Sequence, residues 1–247
     1  MDTSFLDPLR DLYHEYQMYK THPGRKGHLK NLQKNFQNQG VSIIANNCMA
    51  GLIYHDLKQP FLTPIVNCRF APESYIAFCE DMEYYTNCQV EDAGYLDEVE
   101  GFPYARFVGD ESHQDLTLAL VHYDSFEEGK KAFQRRKKRI NYQNQVLLCE
   151  MYDQEYSPEL LERFAALPGP KVLLTHRDYE RAEFSKDTWK REWNEFTFPL
   201  TCYGDGEEQP HGKCMLLKDH SPYRYLDELD ILTFINIGKI QKNQDFS

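Results

Sequence analysis

The stretch "NNCMAGLIYHD" (46–56) brings amides, a thiol, an imidazole and a carboxylate directly after the apolar run "VSIIA" (41–45). Asn46 and Asn47 tolerate turn conformations and can cap a helix, so a tight strand-to-helix turn is expected there, with N–H groups suited to an anion. Cys48 at that helix start would have a lowered thiol pKa if partly exposed, which would make it a nucleophile. Packing as a small apolar residue is the commoner role of such a cysteine.

Three further side chains extend this candidate binding surface. Tyr54 offers an aromatic face to a saccharide. His55, one to two turns into the predicted helix, either lines the same cleft or faces solvent. Asn67, at the end of the next strand-like run, is expected to hold the sugar or acceptor together with the Asn46–Asn47–Cys48 turn.

Polar side chains follow every strand-like run of the sequence. Ligands bind outside the carboxyl ends of parallel strands, so groups at these ends would gather in one cleft. Polar turns are also the ordinary way for strands to end, which is the simpler explanation for any single one. His122 and His176 are the candidate general bases, because an imidazole titrates near neutral pH. The strand-like runs are 41–45, 64–68, 116–123, 145–152, 171–175 and 230–237.

A dense basic run, "RRKKR" (135–139), stands out in an acidic chain. On a helix, Arg135 and Arg139 share one side, and Arg136 lies about 100° round from Arg135. Cations of this kind commonly complement the dipole at the end of a helix. The functional alternative is that Arg135 and Arg139 grip a diphosphate or a carboxylated sugar, because guanidinium groups bind such anions through two hydrogen bonds. Two amides just beyond the run would then hydrogen-bond sugar hydroxyls: Asn141 and Asn144.

Composition excludes several classes of protein. The net charge of −11 over 247 residues argues against a general affinity for nucleic acid. No run approaches the roughly 20 apolar residues of a membrane helix, and the first residues lack the features of a signal peptide, so we expect a cytosolic protein. Nucleotide-binding glycine motifs are missing, the seven scattered cysteines form no CxxC pair, and the cysteine–histidine spacing at 202–220 does not fit common zinc modules. No metal is predicted, and the sequence identifies no cofactor.

The alternation of strand-like and helix-like segments predicts the fold. We expect a three-layer α/β/α arrangement with a mostly parallel sheet and an N-terminal helical lead-in over 1–40. Residues 41–240 would form a single α/β domain, with an antiparallel insertion at 86–113. The predicted helices begin at Pro72, at the capping box of Ser125, at Ser157 and, more weakly, in "SKDTWKREWN" (185–194).

Three blocks of the sequence resemble a bacterial family of unknown function that is usually labelled exopolysaccharide or capsular polysaccharide biosynthesis protein. The blocks, in family order, are "IIANNCMAGLIYHDL…TPIVN", "HYDSFEEGKKAFQRRKKRINYQN" and "FAALPGPKVLLTHRDY". Ala45, Met49, Ala50 and Phe133 stand where the family tends to have Ser, Trp, Gly and Trp. The resemblance spans roughly residues 41–240 and implies an α/β fold and a role in surface-polysaccharide assembly, without naming a reaction.

These observations together predict a transferase that moves a glycosyl or acyl group from an activated donor to a saccharide hydroxyl. Arg135 and Arg139 would hold the phosphates of the donor, and His122 or His176 would deprotonate the acceptor. The expected partners are the activated donor, the saccharide acceptor and, by peripheral association, membrane-bound polysaccharide machinery. The alternative is a non-catalytic carbohydrate-binding or assembly component of the same pathway.

Overall fold

The computed structural model describes residues 25–96, 101–151, 155, 157–175, 197–199, 232, 235 and 236. The helices are α1 (Arg25–Asn35), α2 (Met49–Asp56), α3 (Pro72–Glu80), α4 (Met82–Asn87), α5 (Phe126–Lys137) and α6 (Pro158–Ala166). The strands are β1 (Ser42–Ala45), β2 (Arg69–Phe70), β3 (Val90–Gly94), β4 (Tyr104–Phe107), β5 (Leu116–Ala119), β6 (Gln145–Met151), β7 (Lys171–Thr175) and β8 (Thr197–Pro199). The predicted helices before residue 25 and at 185–194 lie outside the described residues.

One sheet is parallel, with strand order β1-β6-β7-β8. Ser42 pairs with Gln145 at one end of the β1–β6 ladder and Ala45 with Leu148 at the other. Neighbouring side chains of each strand alternate between two apolar clusters: Ile44 packs in one, while Ile43 packs in the other. Both faces of this sheet are therefore buried, which explains why its strands read as continuous apolar runs.

A second sheet is antiparallel, with strand order β2-β5-β4-β3. The run at 116–123, expected among the parallel strands, belongs to this sheet through β5, so that prediction is wrong. The run at 64–68 is also not a strand; Asn67 adopts a left-handed φ of 64°, which interrupts extended backbone before β2. Residues 232, 235 and 236 are helical, so the strand predicted at 230–237 is not formed there.

Three of the predicted helix starts are confirmed. Ser125 caps α5 by accepting the Glu128 N–H at 3.3 Å, and Ser157 caps α6 in the same way. Pro72 occupies the first turn of α3. The single helix expected through residue 85 is divided at Asp81, whose side chain caps α4.

Helices and sheets pack through two apolar clusters. The larger lies between one face of the parallel sheet, the antiparallel sheet and α3, α5 and α6; the smaller joins the opposite face to α1 and α2. The hydroxyl of Tyr75 donates a hydrogen bond of 2.8 Å to the Ile44 carbonyl, which fixes α3 against β1. The mixed α/β class with parallel strands is thus confirmed. None of the helices that the structure describes has the length and hydrophobicity of a membrane span.

Candidate functional site

Asn46 links three strands at the carboxyl end of β1. Its buried amide donates to the Glu150 carbonyl at 2.8 Å and accepts the Glu150 N–H at 2.9 Å. Its own carbonyl accepts the Phe70 N–H at 2.8 Å, which brings β2 to the same point. All of these bonds are internal, so Asn46 builds the edge of the sheet instead of offering its amide to a ligand.

Asn47 holds a buried carboxylate at this edge. Its side-chain N–H donates a short hydrogen bond to the carboxylate of Glu150, which is 2% exposed. The same amide accepts the Met49 N–H at 3.0 Å through its oxygen, so its orientation is fixed by the first turn of α2. Because Asn47 itself is half-buried, the pair marks the boundary between the sheet interior and the surface. A carboxylate oriented in this way can accept a proton or a hydrogen bond from a hydroxyl group.

Cys48 follows Asn47 at the cap position of α2. Burial raises its thiol pKa to about 11, and the nearby charge of Arg69 only partly opposes that effect. The prediction of a lowered pKa is therefore wrong, because desolvation outweighs the helix start and the guanidinium. At neutral pH the Cys48 side chain is a protonated thiol.

A second group of contacts lies beside the first turn of α2, and we call it the Arg136 cluster: Phe61, Val66, Tyr123 and Arg136. The Val66 carbonyl accepts hydrogen bonds from the Tyr123 hydroxyl at 3.0 Å and from Arg136 Nη1 at 3.4 Å. A Cβ on Gly51 in α2 would lie 3.1 Å from Val66 Cγ1, so helix and loop are in close contact. The turn at 46–48, the loop at 61–68 and the basic helix therefore meet.

A cavity of about 390 Å³ opens at the same edge of the parallel sheet. Ala71 in its wall directly follows Phe70, whose N–H binds Asn46, and Glu155 lies just beyond β6. The cavity carries carboxylates and one guanidinium, and it lies between the first turns of α3 and α6. Its lining residues are Ala71, Pro72, Glu73, Glu155, Ser157, Glu159, Leu160 and Arg163. Within the described residues, no group of three or more His, Cys, Asp or Glu side chains is arranged to hold a metal ion.

Two predicted site residues of α2 point away from this edge. Tyr54 is fully buried, and its hydroxyl binds the backbone of Val41 and Ile43 at the amino end of β1. His55 is exposed, and its imidazole lies 3.4 Å from the neighbouring Asp56 carboxylate. Both residues come about two helical turns after the turn at 46–48, so they lie toward the amino end of β1.

The predicted donor-binding residues are also distributed differently. Arg135 and Arg139 are both exposed. Asn141 donates to the Gly40 carbonyl at 3.2 Å, and Asn144 exchanges two amide hydrogen bonds with Asn38. These two asparagines precede β6 and so lie at the amino edge of the parallel sheet, opposite Asn47.

The remaining predicted residues fall into two groups. Asn67 lies beside the Arg136 cluster, where its carbonyl accepts the His122 N–H at 3.3 Å. The imidazole of His122 is exposed there. His176 lies outside the described residues. The structure therefore brings Asn46, Asn47, Cys48, Asn67 and His122 to one region and places the other described site residues elsewhere.

Two residues of this region were not selected from the sequence. Glu150 is the only charged residue of the apolar run "QVLLCEM", an available signal for a carboxylate with a special role. Arg136 occupies the apolar face of α5, as the helical spacing of its buried positions shows. Those positions are Phe126, Gly129, Ala132, Phe133 and Arg136.

Comparison with known proteins connects this architecture to a family. The model of DUF1919, a domain of unknown function, matches residues 24–236. The chain belongs to the DUF1919 family. It is also similar to an uncharacterised protein of Haemophilus influenzae, with 28% identity over 152 residues, covering 61% of this chain and 68% of that protein. The resemblance to a family of unknown function is thus confirmed. The DUF1919 match includes the Asn47–Glu150 pair and the Arg136 cluster.

Proposed function

We propose that this DUF1919 protein is a transferase of cell-surface polysaccharide biosynthesis, which moves a glycosyl or acyl group to a saccharide hydroxyl. The observation that carries the proposal is the hydrogen bond from Asn47 to the Glu150 carboxylate at the carboxyl edge of the parallel sheet. This edge is where open α/β sheets bind their ligands. The three-layer arrangement, with the edge as a cleft, is part of the proposal.

Glu150 is the proposed general base. As the acceptor oxygen forms its bond to the transferred carbon, the bond from that carbon to the leaving group breaks, and the hydroxyl proton passes to the Glu150 carboxylate. The Asn47 amide keeps the carboxylate in one orientation throughout, because its own oxygen is held by the Met49 N–H. The predicted bases His122 and His176 remain alternatives for this step.

The cavity at the carboxyl edge of the parallel sheet is suited to a saccharide. Its carboxylates from Glu73, Glu155 and Glu159 are acceptors for sugar hydroxyls, and Arg163 adds donors. A volume of about 390 Å³ falls in the range of small-molecule sites. We therefore place the acceptor in this cavity and expect association with membrane-bound polysaccharide machinery from the cytosolic side.

A non-catalytic carbohydrate-binding component is the second candidate. The raised pKa of Cys48 favours it, because a protonated thiol is a weak nucleophile and leaves covalent acyl transfer without its obvious residue. Binding would then use the cavity alone, without turnover.

Thermal unfolding in the presence of ligands separates the two candidates. The protein is heated with nucleotide sugars, with acyl-CoA and with oligosaccharides, each alone and in donor–acceptor pairs. A transferase is stabilised by one class of donor, since a ligand that binds the native state raises the unfolding temperature. Stabilisation by oligosaccharide with no donor effect supports the binding component and contradicts the transferase.

A further inference from the structure

Arg136 is a buried cation in the middle of the chain's basic run. The residue is 9% exposed, whereas its neighbour Arg135 is exposed. Its Nη1 donates to the Tyr123 hydroxyl at 2.5 Å and to the Val66 carbonyl at 3.4 Å. Its guanidinium carbon lies 5.5 Å from the centre of the Phe61 ring. These contacts fix the plane of the guanidinium.

No carboxylate pairs with Arg136 in the part of the chain that the structure describes. The half-buried Arg163, in contrast, forms two hydrogen bonds with Glu80, and the exposed Arg106 contacts Glu91 and Asp115. A buried charge is costly unless it is paired, so this pattern is the reverse of what stability alone favours. The neutral partners of Arg136 orient its charge without neutralising it.

Arg136 keeps a small exposed fraction, 9% of the residue, and not all of its N–H groups are used by the described structure. Nη1 makes both of its hydrogen bonds within the described structure, and neither Nε nor Nη2 makes one. Neither atom is among the fully buried polar atoms without a hydrogen bond, which within the described residues are Thr63 Oγ1 and Gln145 Oε1. Two parallel N–H donors in this arrangement match two oxygens of a phosphate.

Thr63 supplies a second unmet hydrogen bond in the same loop. In the chain it lies between Phe61 and Val66, both of which contact Arg136, and its buried hydroxyl has no hydrogen-bond partner among the described residues. Buried hydroxyl groups are normally hydrogen-bonded, so the Thr63 hydroxyl is an exception that calls for an explanation.

We propose that Arg136 anchors a phosphate site that takes the diphosphate of the activated donor, with Arg135 and Arg139 contributing little. The donor's identity rests on the proposed function, whereas binding of a phosphate at Arg136 does not. The site lies beside the turn at 46–48, since Gly51 of α2 contacts Val66. The charge of Arg136 also acts on Cys68, where it opposes the strong rise in thiol pKa caused by burial.

Titration calorimetry with inorganic pyrophosphate tests the site directly. Arg136→Met is compared with the matched variants Arg135→Met and Arg139→Met, which remove one charge each from the same helix. We expect Arg136→Met to weaken pyrophosphate binding by about tenfold or more, as loss of a charge-assisted hydrogen bond predicts, and the other two to change it by less than about twofold. Equal losses in all three variants, or undiminished binding in Arg136→Met, would overturn the proposal. Absence of pyrophosphate binding to the native protein would overturn it as well.

Tyr123→Phe provides a second test of the site in case Arg136→Met does not fold. The substitution keeps the ring and the charge of Arg136 but removes the hydroxyl that accepts from Nη1. Pyrophosphate affinity should fall several-fold in this variant, with an unchanged circular dichroism spectrum. Unchanged affinity in a folded Tyr123→Phe protein counts against the site.

Failure of the phosphate site and failure of the proposed function give different results. Glu150→Gln should bind pyrophosphate as the native protein does, because Glu150 acts on the acceptor. If Arg136 is required for pyrophosphate binding but no donor is ever consumed, the phosphate site stands and the transferase proposal fails. If transfer depends on Glu150 and is insensitive to Arg136→Met, the phosphate site fails alone.

Discussion

The side-chain amide of Asn47 donates its hydrogen bond to the carboxylate of Glu150, although 103 positions separate the two residues in the chain. The neighbouring Asn46 binds the backbone of the same glutamate from the same strand end. One asparagine thus positions the β6 backbone and the other positions the acidic side chain. Because the two asparagines have different roles, we expect their substitutions to change stability in different ways.

Replacing Asn47 with Asp should make stability depend on pH. The variant keeps an oxygen for the Met49 N–H but places a second carboxylate against Glu150. Two adjacent carboxylates share a proton, so the folded-state pKa of the pair rises above the unfolded value near 4. The free energy of unfolding should therefore be lower than that of the native protein at pH 8 and recover toward pH 5. Urea unfolding at both pH values measures this, with the exposed Asn31→Asp as control; an equal loss at both would contradict the contact.

Replacing Asn46 with Ala should cost stability instead. The change leaves the Glu150 N–H and carbonyl without their side-chain partners in a buried position. Each unsatisfied buried group costs about 1–3 kcal/mol, so a loss of about 2–4 kcal/mol in the free energy of unfolding is expected. Chemical denaturation of this variant and of the exposed Asn35→Ala gives the comparison. A loss below about 1 kcal/mol would show that Asn46 does not hold β6 in place.

Cys48 should be alkylated slowly at neutral pH. Because burial raises its pKa to about 11, roughly one molecule in a thousand carries the thiolate at pH 8. Alkylation by iodoacetamide, followed by mass spectrometry of the peptide that contains residue 48, should therefore accelerate up to about pH 11. Cys48→Ser identifies the signal. A midpoint below the ordinary value of 9.0 would mean that Cys48 is an activated nucleophile after all.

His113 should stabilise the fold most in mildly acidic solution. Its imidazole hydrogen-bonds Asp110 at 2.8 Å and Asp81 at 3.1 Å, which raises the pKa of His113, while the same contact lowers the pKa of Asp110. The histidine's contribution is complete below its unfolded pKa of about 6.5 and is lost as pH rises through the folded value. The aspartate's contribution is present above about pH 4 and is lost as pH falls through its folded value.

The difference in urea midpoint between the native protein and His113→Gln measures this effect. The difference should be larger at about pH 5.5 than at about pH 8.5, since the paired charges exist only at the lower value. Glu111→Gln, an exposed change in the same loop, is the control. A difference that does not change with pH would show that the His113 contacts carry no charge.

Local signals in the sequence predicted the parts of the fold that depend on neighbouring residues. Apolar runs identified β1, β6 and β7, a proline identified the start of α3, and cap residues identified the starts of α5 and α6. The run at 116–123 was correctly predicted to be a strand, but its antiparallel pairing was not predicted. That pairing depends on β4, which the local pattern of the run does not reveal. The left-handed backbone at Asn67 likewise comes from its setting and not from the residue type alone.

The sequence predicted one part of the candidate site and not the other. The turn at 46–48 was located because amides and a thiol after an apolar strand form a visible pattern. Its carboxylate partner Glu150 was not selected, since a single acid in an apolar run does not reveal which strand end it meets. The sequence does not distinguish Arg136 from Arg135 and Arg139, because helical spacing alone shows which side chains share a face and not which face is buried.

Product formation by Glu150→Gln tests most directly whether Glu150 is the general base of the proposed transfer. The native protein, Glu150→Gln and the exposed control Glu127→Gln are incubated with the donor found by ligand-dependent unfolding and an oligosaccharide acceptor, and the added mass is followed over time. If Glu150 is the general base, Glu150→Gln slows transfer by about 100-fold or more, with donor binding unchanged, while Glu127→Gln transfers at the native rate. Transfer by Glu150→Gln at the native rate would contradict that role.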